Sequence, residues 1–410
     1  MFSLRVPRRP PRGIGGVAMT VRLATFNVEN LFARTKAFDV SPAPDGSNPL
    51  LAAFSEFNSV AGKDVYSDAD KQAMLTALTT LKVLVGGDGV PLVLNPNPTN
   101  AFALLRENRG DFLKQPHDGP ARIVASGRAD WIGWVDLITA PVDETATRMT
   151  AKVINKLAPH ILCVVEAEDR PSLARFNTDL LHRRYAHVML VDGNDPRGID
   201  VGLLTRSGIE IASVRSHVDD PDPASPADPL FSRDCPVYHL RLPDGRQLHL
   251  LLNHLKSQMR TGRDPDELRG RQSARVRQIY DQLRAEGAEF IAVLGDFNKG
   301  PTADDPPQHP TLEPLLGPGT PLTDAASLPV FDSGPRPGTF QSCGRAERID
   351  YILLSPELAE LTTAGGIFRR GLWGRPSNVH PPQAWEIFPE ITHARQAASD
   401  HAAVWIDLDL

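Results

Sequence analysis

Apolar stretches that each run into a polar side chain recur along this sequence, and this pattern constrains the fold more than any other feature. Taken alone, each polar residue is explained equally well as a cap or turn residue. Because the series begins at Asn27 and finishes at His401, a site built from it would bring distant parts of the chain together in one domain. The polar positions are Asn27 with Glu29, Glu166, Asn253 with His254, Asp296 with Asn298, Asp350, and Asp400 with His401.

The spacing of apolar residues predicts the secondary structure around these positions. Met149, Val153 and Leu157 recur every four residues, which is typical of an amphipathic helix. Strands are predicted at 21–28, 161–165, 200–204, 248–252, 290–294, 349–354 and 402–408, and helices at 68–85, 100–114, 145–157 and 264–285.

The residue types at the strand ends indicate a particular chemistry. Asp350 stands between apolar neighbours, where an uncompensated carboxylate costs several kcal/mol, so we expect a histidine or another donor beside it. A set rich in acids and amides, with two histidines, suits Mg²⁺ or Mn²⁺ better than zinc. The sequence contains no H-E-x-x-H, G-x-S-x-G or Walker A motif, so serine-nucleophile and P-loop chemistry have no support.

Composition narrows the class of partner. The chain is 41% hydrophobic and 23% charged, as in a soluble globular protein, and its net charge of −6 gives no overall basic field for nucleic acid. No apolar run approaches about 18 residues, so no membrane span is predicted. Three cysteines are too few for a disulfide framework, which favours a cytoplasmic location. A local basic lip is one interpretation of Arg260, Arg263, Arg269, Arg271, Arg275 and Arg277, and a solvated helix face is the other.

In their order along the chain, the motifs Phe26-Asn27-Val28-Glu29-Asn30, Val165-Glu166, Asn253-His254-Leu255-Lys256, Gly295-Asp296-Phe297-Asn298, Ile349-Asp350-Tyr351 and Ser399-Asp400-His401 resemble the endonuclease/exonuclease/phosphatase superfamily. The resemblance implies a four-layer α/β sandwich in which two packed mixed sheets are flanked by helices. It also implies one domain at 21–410. The arginine- and proline-rich residues before it predict a disordered leader at 1–20, or sequence that precedes a true start near Met19. About 110 residues at 33–142 are additional to the family core, and we expect them to form a mostly helical insertion after the first strand.

The resemblance also implies roles for individual residues. Glu166 resembles the principal metal ligand, supported by Asn27 and Asp400, and Glu29 matches an acidic position that some members use for the metal. The implied catalytic residues are Asp296 on the attacking water, Asn298 on the phosphate, His254 on the phosphoryl oxygens, and the dyad of Asp350 and His401.

Two further residues are candidates for substrate binding. Asp200 begins a predicted strand, and an acidic turn residue is an equally good interpretation of it. Lys256 is either a phosphate contact or a solvated lysine at a strand end.

The function that these expectations favour is metal-dependent hydrolysis of a phosphoester, with a nuclease as first choice. The alternatives are a phosphodiesterase or phosphatase acting on a small molecule or a lipid headgroup, and a non-catalytic binding module on the same fold. A degenerate module should lack Glu166, Asp296 or His401, and this chain has all three. No feature of the sequence indicates a protein partner.

Overall fold

The computed structural model describes residues 20–31, 35–39, 48–87, 89–117, 119–138, 144–195, 197–258, 264–301, 311–374 and 384–410. All of the predicted leader except Thr20 lies outside these ranges. The strands are β1 (Thr20–Leu31), β2 (Leu84–Gly87), β3 (Val90–Leu94), β4 (Ala103–Gly110), β5 (Leu113–Lys114), β6 (Arg122–Ile123), β7 (Trp131–Leu137), β8 (Ile161–Ala167), β9 (His187–Val191), β10 (Asp200–Thr205), β11 (Glu210–Arg215), β12 (Pro221–Asp222), β13 (Ser225–Pro229), β14 (Val237–Arg241), β15 (Gln247–His254), β16 (Phe290–Asp296), β17 (Thr323–Asp324), β18 (Phe331–Asp332), β19 (Asp350–Leu354), β20 (Thr362–Phe368) and β21 (Ala403–Asp409). The α-helices are α1 (Pro49–Ala61), α2 (Asp68–Thr80), α3 (Glu144–Leu157), α4 (Arg170–Asp179), α5 (Pro265–Ala285), α6 (Glu313–Leu316) and α7 (Pro356–Glu360).

Two large mixed sheets form the centre of the fold. The first has the order β18-β20-β21-β1-β8-β10-β9, and the second has the order β11-β14-β15-β16-β19-β17. In the first sheet β1 is parallel to β8 and antiparallel to β21. In the second, β15 is parallel to β16 and β16 is antiparallel to β19.

The two sheets pack face to face, and helices cover their outer faces. Alternate residues of β1 and β8, such as Leu23 and Cys163, meet residues of β15 and β16, such as Leu250 and Ala292, in one buried cluster. The opposite face of the first sheet packs against α3 and α4, and that of the second sheet packs against α5. The four-layer α/β sandwich is therefore confirmed.

Local sequence explains where the outer helices begin. In α5 the Asp264 carboxylate accepts the Asp266 N–H, and Pro265 occupies the first turn, where its missing N–H is not needed. The predicted stripe on α3 is confirmed, since Met149, Val153 and Leu157 are buried in the core beside the first sheet. None of the helices in the described part of the chain is both long and apolar enough to span a bilayer.

The insertion has a core of its own and is less helical than expected. Its buried cluster includes Phe57, Phe112 and Trp131, and it joins α1 and α2 to short strands. The predicted helix at 100–114 is wrong, because this segment forms β4 and β5. There Leu105 pairs with Val135 of β7, and Gly110 reverses the chain at a φ of 74°. Strand pairing overrides the helix-favouring composition of this segment.

The second predicted helix of the insertion, at 68–85, is correct in type but too long. It begins with a capping box between Ser67 and Asp70 and ends at Thr80. Lys82 then takes a left-handed conformation at a φ of 53°, and β2 starts at Leu84.

Strand directions gather the polar positions at one rim of the sandwich. The carboxyl ends of β1 and β8 lie side by side in the first sheet, and those of β15 and β16 lie side by side in the second. Because β21 and β19 are antiparallel to these neighbours, they begin at the same rim. β1 packs against β16 across the sandwich, so the two halves of the rim face each other.

Candidate active site

The Asp296 carboxylate is the centre of the rim. Its Oδ2 accepts hydrogen bonds from the side-chain amides of Asn27 and Asn298, each at 3.2 Å, and its Oδ1 accepts the Asn298 N–H at 2.7 Å. Two imidazoles lie just beyond hydrogen-bond distance, with Nε2 of His254 at 3.7 Å and Nε2 of His401 at 4.0 Å from Oδ2. The structure thus brings together residues from the ends of β1, β15 and β16 and from the start of β21.

His401 and Asp350 form a buried hydrogen-bonded pair. Nδ1 of His401 lies 2.8 Å from Oδ2 of Asp350, and the residues are 5% and 3% exposed. Thr339 holds the start of β19 in place, since its hydroxyl accepts the Asp350 N–H. Burial by itself would lower the pKa of His401, but the charge of Asp350 and its hydrogen bond outweigh burial and raise that pKa well above its usual value. Asp350 therefore has the histidine partner that its apolar surroundings predict.

Glu166 lies on the other side of the same cluster. Its Oε1 is 3.6 Å from Nε2 of His254. Burial and the nearby charge of Asp400 raise the pKa of Glu166, while the Asn27 side chain acts to lower it. Glu166 and the Asp400–His401 segment therefore meet at one rim, as a shared site requires.

Ser399 connects β1 to the segment that precedes β21 through two hydrogen bonds. Its hydroxyl donates to the Asn27 carbonyl at 2.7 Å and accepts the His401 N–H at 2.9 Å. Glu29 adds a second tie, because its N–H donates to Oδ1 of Asn27 at 3.0 Å. Ser399 thus fixes the backbone at Asn27, while Glu29 and Asp296 hold the two ends of its side-chain amide. The sequence motif contained Ser399, but nothing in the pattern assigned it this task.

Backbone strain is concentrated at the rim. Glu29, Glu166 and Asn298 have φ angles of 52°, 65° and 54°, in the left-handed region that residues other than glycine rarely adopt. Such conformations cost on the order of 1–3 kcal/mol each and persist where the surrounding structure enforces them. Gly295 has a φ of 130°, and a Cβ there would lie 2.0 Å from the Asn253 carbonyl oxygen. The turns that aim the site residues therefore depend on specific backbone geometry.

The donor atoms fit a hard divalent cation. Asn27, Glu166, Asp296 and Asp400 bring carboxylate and amide oxygens to the rim, which are the ligands that Mg²⁺ and Mn²⁺ prefer. Burial, followed by the charge of Asp350, raises the pKa of Asp296 to about 7. Raised pKa values at Glu166 and Asp296 show that negative charge here lacks full compensation, and a bound cation would supply it.

A second grouping of possible ligands lies beside the first. Ligand atoms of Asp296, Asp350 and His401 lie within 4.8 Å of one another, the one group of three or more acidic, histidine or cysteine residues of this kind among the described residues. The hydrogen bond between Asp350 and His401 already accounts for their closeness and occupies Nδ1 of the imidazole. We therefore favour Glu166 and its neighbours as the cation position.

The two candidate substrate-binding residues have structural partners. Asp200, the first residue of β10, is 5% exposed, and its Oδ1 accepts the Gly193 N–H at 2.7 Å across the β9–β10 connection. Burial raises its pKa to about 7. Lys256 is half-buried near the cluster, and its N–H donates to the Gln272 side chain. Burial and two neighbouring arginines, Arg233 and Arg197, lower its pKa to about 8.

An arginine pair that the sequence did not reveal borders the site. Arg197 forms two hydrogen bonds with Asp195, at 2.9 and 2.7 Å, and Arg233 lies 3.3 Å from the same carboxylate. Arg233 also donates to the Leu255 carbonyl at 2.9 Å, which accepts the Asn298 amide as well. Burial is the main reason that the pKa of His254 lies well below its usual value, and the positive charges of Arg233 and Arg197 lower it further. These residues come from two separate loops, so the sequence pattern could not predict that they meet.

The arginine-rich segment does not form the basic lip in its described part. Arg269, Arg271, Arg275 and Arg277 each pair with a carboxylate, namely Asp266, Asp222, Asp220 and Asp281. Arg260 and Arg263 lie outside the described residues. The offset of charge fits all four arginines, but a solvated helix face does not fit Arg269, which is only 2% exposed.

Two packed mixed sheets with an acid-, amide- and histidine-rich rim define a phosphoesterase-like sandwich. The chain belongs to the Endonuclease/Exonuclease/phosphatase family, whose model matches residues 143–401. Membership supports phosphoester hydrolysis, and enzymes of this family are generally dependent on divalent metals. The match begins at residue 143, after the insertion, so it does not include Asn27 and Glu29. These two residues are placed at the site by the pairing of β1 within the first sheet.

Several solved structures are similar to this chain at 16% identity, each alignment covering 65% of it. They are a mannosyl-6-phosphatase from Bacteroides thetaiotaomicron VPI-5482 (91% of that chain, TM-score 0.47), a family protein from Bacteroides thetaiotaomicron (86%, TM-score 0.46) and the human Nocturnin catalytic domain with bound sulfate (87%, TM-score 0.44). No curated protein matches the sequence.

Proposed function

We propose that this protein hydrolyses phosphodiester bonds with the help of a bound Mg²⁺ or Mn²⁺, and that a nucleic acid is its first candidate substrate. The observation that carries the proposal is the convergence of Glu166, Asp296 and the Asp350–His401 pair at one rim. A cytoplasmic location belongs to the same proposal. It is supported by three buried cysteines, none of which is in a disulfide.

The cation would be held by Glu166 with Asn27, Asp400 and Glu29. Once bound, it would polarise the phosphate and stabilise the leaving oxygen. Asn27 suits this task because Ser399 and Glu29 fix its position before any ligand arrives. Glu29 would serve the cation in a second way as well, because its N–H orients Oδ1 of Asn27.

Asp296 is the proposed base for the attacking water. Its carboxylate lies at the centre of the rim, and hydrogen bonds from Asn27 and Asn298 hold it in one orientation. A positioned carboxylate can orient a water and accept its proton in the transition state, which contributes about 10²–10⁴ to the rate. The strained turn at Asn298 presents its amide beside the same carboxylate, where it would hold the phosphate.

His401 and His254 would stabilise the phosphoryl oxygens. Charge spreads over these oxygens in the transition state, so fixed donors around them lower the barrier. Asp350 keeps the His401 imidazole in place and favours its protonated form, which leaves Nε2 directed toward Asp296. His254 lies between Glu166 and Asp296, within 4 Å of both carboxylates.

A second candidate substrate is a small phosphoester or a lipid headgroup. The arginines of α5 are each paired with a carboxylate, which argues against a wide basic groove beside the site. Arg197 and Arg233 share the single carboxylate of Asp195 and lie near Lys256, so three cations surround one carboxylate in a compact cluster. Such a cluster matches one or two phosphates better than a long polyanion. Asp200 stays a candidate lining residue in either case.

The test compares substrates and metals in one panel. Purified protein is assayed with bis-p-nitrophenyl phosphate, plasmid DNA and sphingomyelin in Mg²⁺, Mn²⁺ or EDTA. We expect metal-dependent turnover that Asp296→Asn reduces by about 10²–10⁴, whereas Asp281→Asn, on the exposed side of α5, leaves it unchanged. Turnover in EDTA, or an Asp296→Asn variant of wild-type activity, would contradict the assigned roles. Absence of turnover on every substrate would favour the binding module.

A further inference from the structure

A basic groove lies on the outer layer of the sandwich and is lined by none of the rim residues. It has a volume of about 470 Å³ and runs between α3 and the turn that follows α4. Arg148, Lys152, Lys156 and His182 line it together with the Asn155 amide, and no acidic residue of the described ranges contributes to its lining. The chain as a whole has a net charge of −6, so the positive charge of this groove is opposite to that of the whole molecule.

The cations form a regular row. Arg148, Lys152 and Lys156 are four residues apart, so they lie on one face of α3 at intervals of about 6 Å along its axis. Arg148 and Lys156 are exposed, while Lys152 is half-buried and pairs with Glu390 at 2.5 Å. Because Lys152 is held by Glu390, the row presents Arg148 and Lys156 to solvent, about 12 Å apart along the helix axis.

The opposite face of α3 links this row to the catalytic rim. The Thr150 hydroxyl donates to the Ala398 carbonyl at 2.7 Å, and Ala398 immediately precedes the Ser399-Asp400-His401 segment. Arg148 and Lys152 each lie two residues from Thr150, on the turns of α3 that flank this contact. A ligand held at the rim could continue onto the row.

We propose that the α3 groove binds the phosphate backbone of a single-stranded nucleic acid whose scissile phosphodiester lies at the catalytic rim. This inference rests on the proposed function and assigns its substrate class. One row of cations on one helix follows a single strand rather than both strands of a duplex. A membrane surface fits poorly, because the large apolar residues of α3, including Val153 and Ile154, are buried in the core rather than presented for insertion into lipid.

The test measures binding separately from catalysis. Affinity for a fluorescein-labelled oligo-deoxythymidine is followed by anisotropy against salt in Mg²⁺, in an Asp296→Asn background that prevents cleavage. Arg148→Gln with Lys156→Gln should weaken binding about tenfold and reduce the salt slope by roughly 1.4, the value for two lost single-strand contacts. The matched control, Arg241→Gln with Arg246→Gln, removes two charges near the β14–β15 turn and should change neither quantity.

A second readout uses the active protein. The ratio of kcat/KM for the oligonucleotide to kcat/KM for bis-p-nitrophenyl phosphate should fall about tenfold in the groove variant, in parallel with the binding loss. Equal losses in both double variants, or no loss in either, would overturn the assignment. A groove variant that loses binding to phosphatidylserine vesicles but not to the oligonucleotide would assign the groove to a membrane instead. If wild-type protein binds through the groove but hydrolyses no phosphoester, the groove stands and the proposed function fails.

Discussion

Replacing Asp350 by asparagine tests the positioning role of the buried pair. The change removes one charge but almost no volume, and Asp350 and His401 are only 3% and 5% exposed. Removing one partner of a buried ion pair costs about 3–5 kcal/mol. At about 1.36 kcal/mol per tenfold change in rate, that free energy corresponds to a loss of roughly 10²–10⁴ in kcat if the pair acts in the transition state.

The assay is kcat for bis-p-nitrophenyl phosphate at saturating Mg²⁺, with the thermal midpoint of unfolding measured in parallel. We expect a large fall in kcat, since the unpaired imidazole loses the charge that favours its protonated form. Asp281→Asn serves as the control because it removes the same charge from an exposed helix position. A small fall in kcat together with a large fall in the midpoint would mean that the pair is structural.

A double-mutant cycle decides how Asp350 acts. If it acts through His401, then Asp350→Asn should add almost nothing once His401→Ala is present. Additive losses would refute this reasoning. They would indicate instead that Asp350 contacts the cation directly, together with Asp296, in the second grouping of ligands.

The remaining predictions address the cation, the fold at low pH and the strained turn. In Glu166→Gln, the Mg²⁺ concentration for half-maximal activity should rise at least about tenfold, and an unchanged titration would exclude Glu166 as a ligand. The stacked imidazoles of His239 and His249 should destabilise the fold in acid, because burial, and then His239, lower the pKa of His249 from 6.5 to about 4. The unfolded chain takes up this proton first, so stability to urea should fall as the pH drops from 6.5 towards 4, and His249→Phe should flatten that dependence. Gly295→Ala should lower the free energy of unfolding by about 3 kcal/mol or more, through a strained φ and a clash with Asn253, and a variant as stable as the wild type would contradict this account of the turn.

The sandwich was predictable because its strands are continuous apolar runs. Strands predicted at 161–165 and 290–294, for example, lie within β8 and β16. The polar residues at their ends were recognisable for the same reason, since Glu166 and Asp296 interrupt runs that would otherwise continue. Ordered motifs then supplied what periodicity could not, namely that distant strand ends meet at one rim.

The rest depends on contacts that leave no local pattern. Asp195 and Arg233 are 38 positions apart and meet only because two loops fold over the same rim. The predicted helix at 100–114 failed for a related reason. Its composition favours a helix, but pairing between Leu105 and Val135 of β7 decides the outcome.

The position of β1 has a consequence for synthesis of the protein. This strand lies between β21 and β8 in the first sheet, so its pairing with Asp409 and neighbouring residues waits until the ribosome has made β21. Such long-range pairing slows folding and leaves an open strand edge in nascent chains. Hydrolytic competence should therefore appear only after β21 has been made, and chains that stop before β21 should be inactive and prone to aggregate.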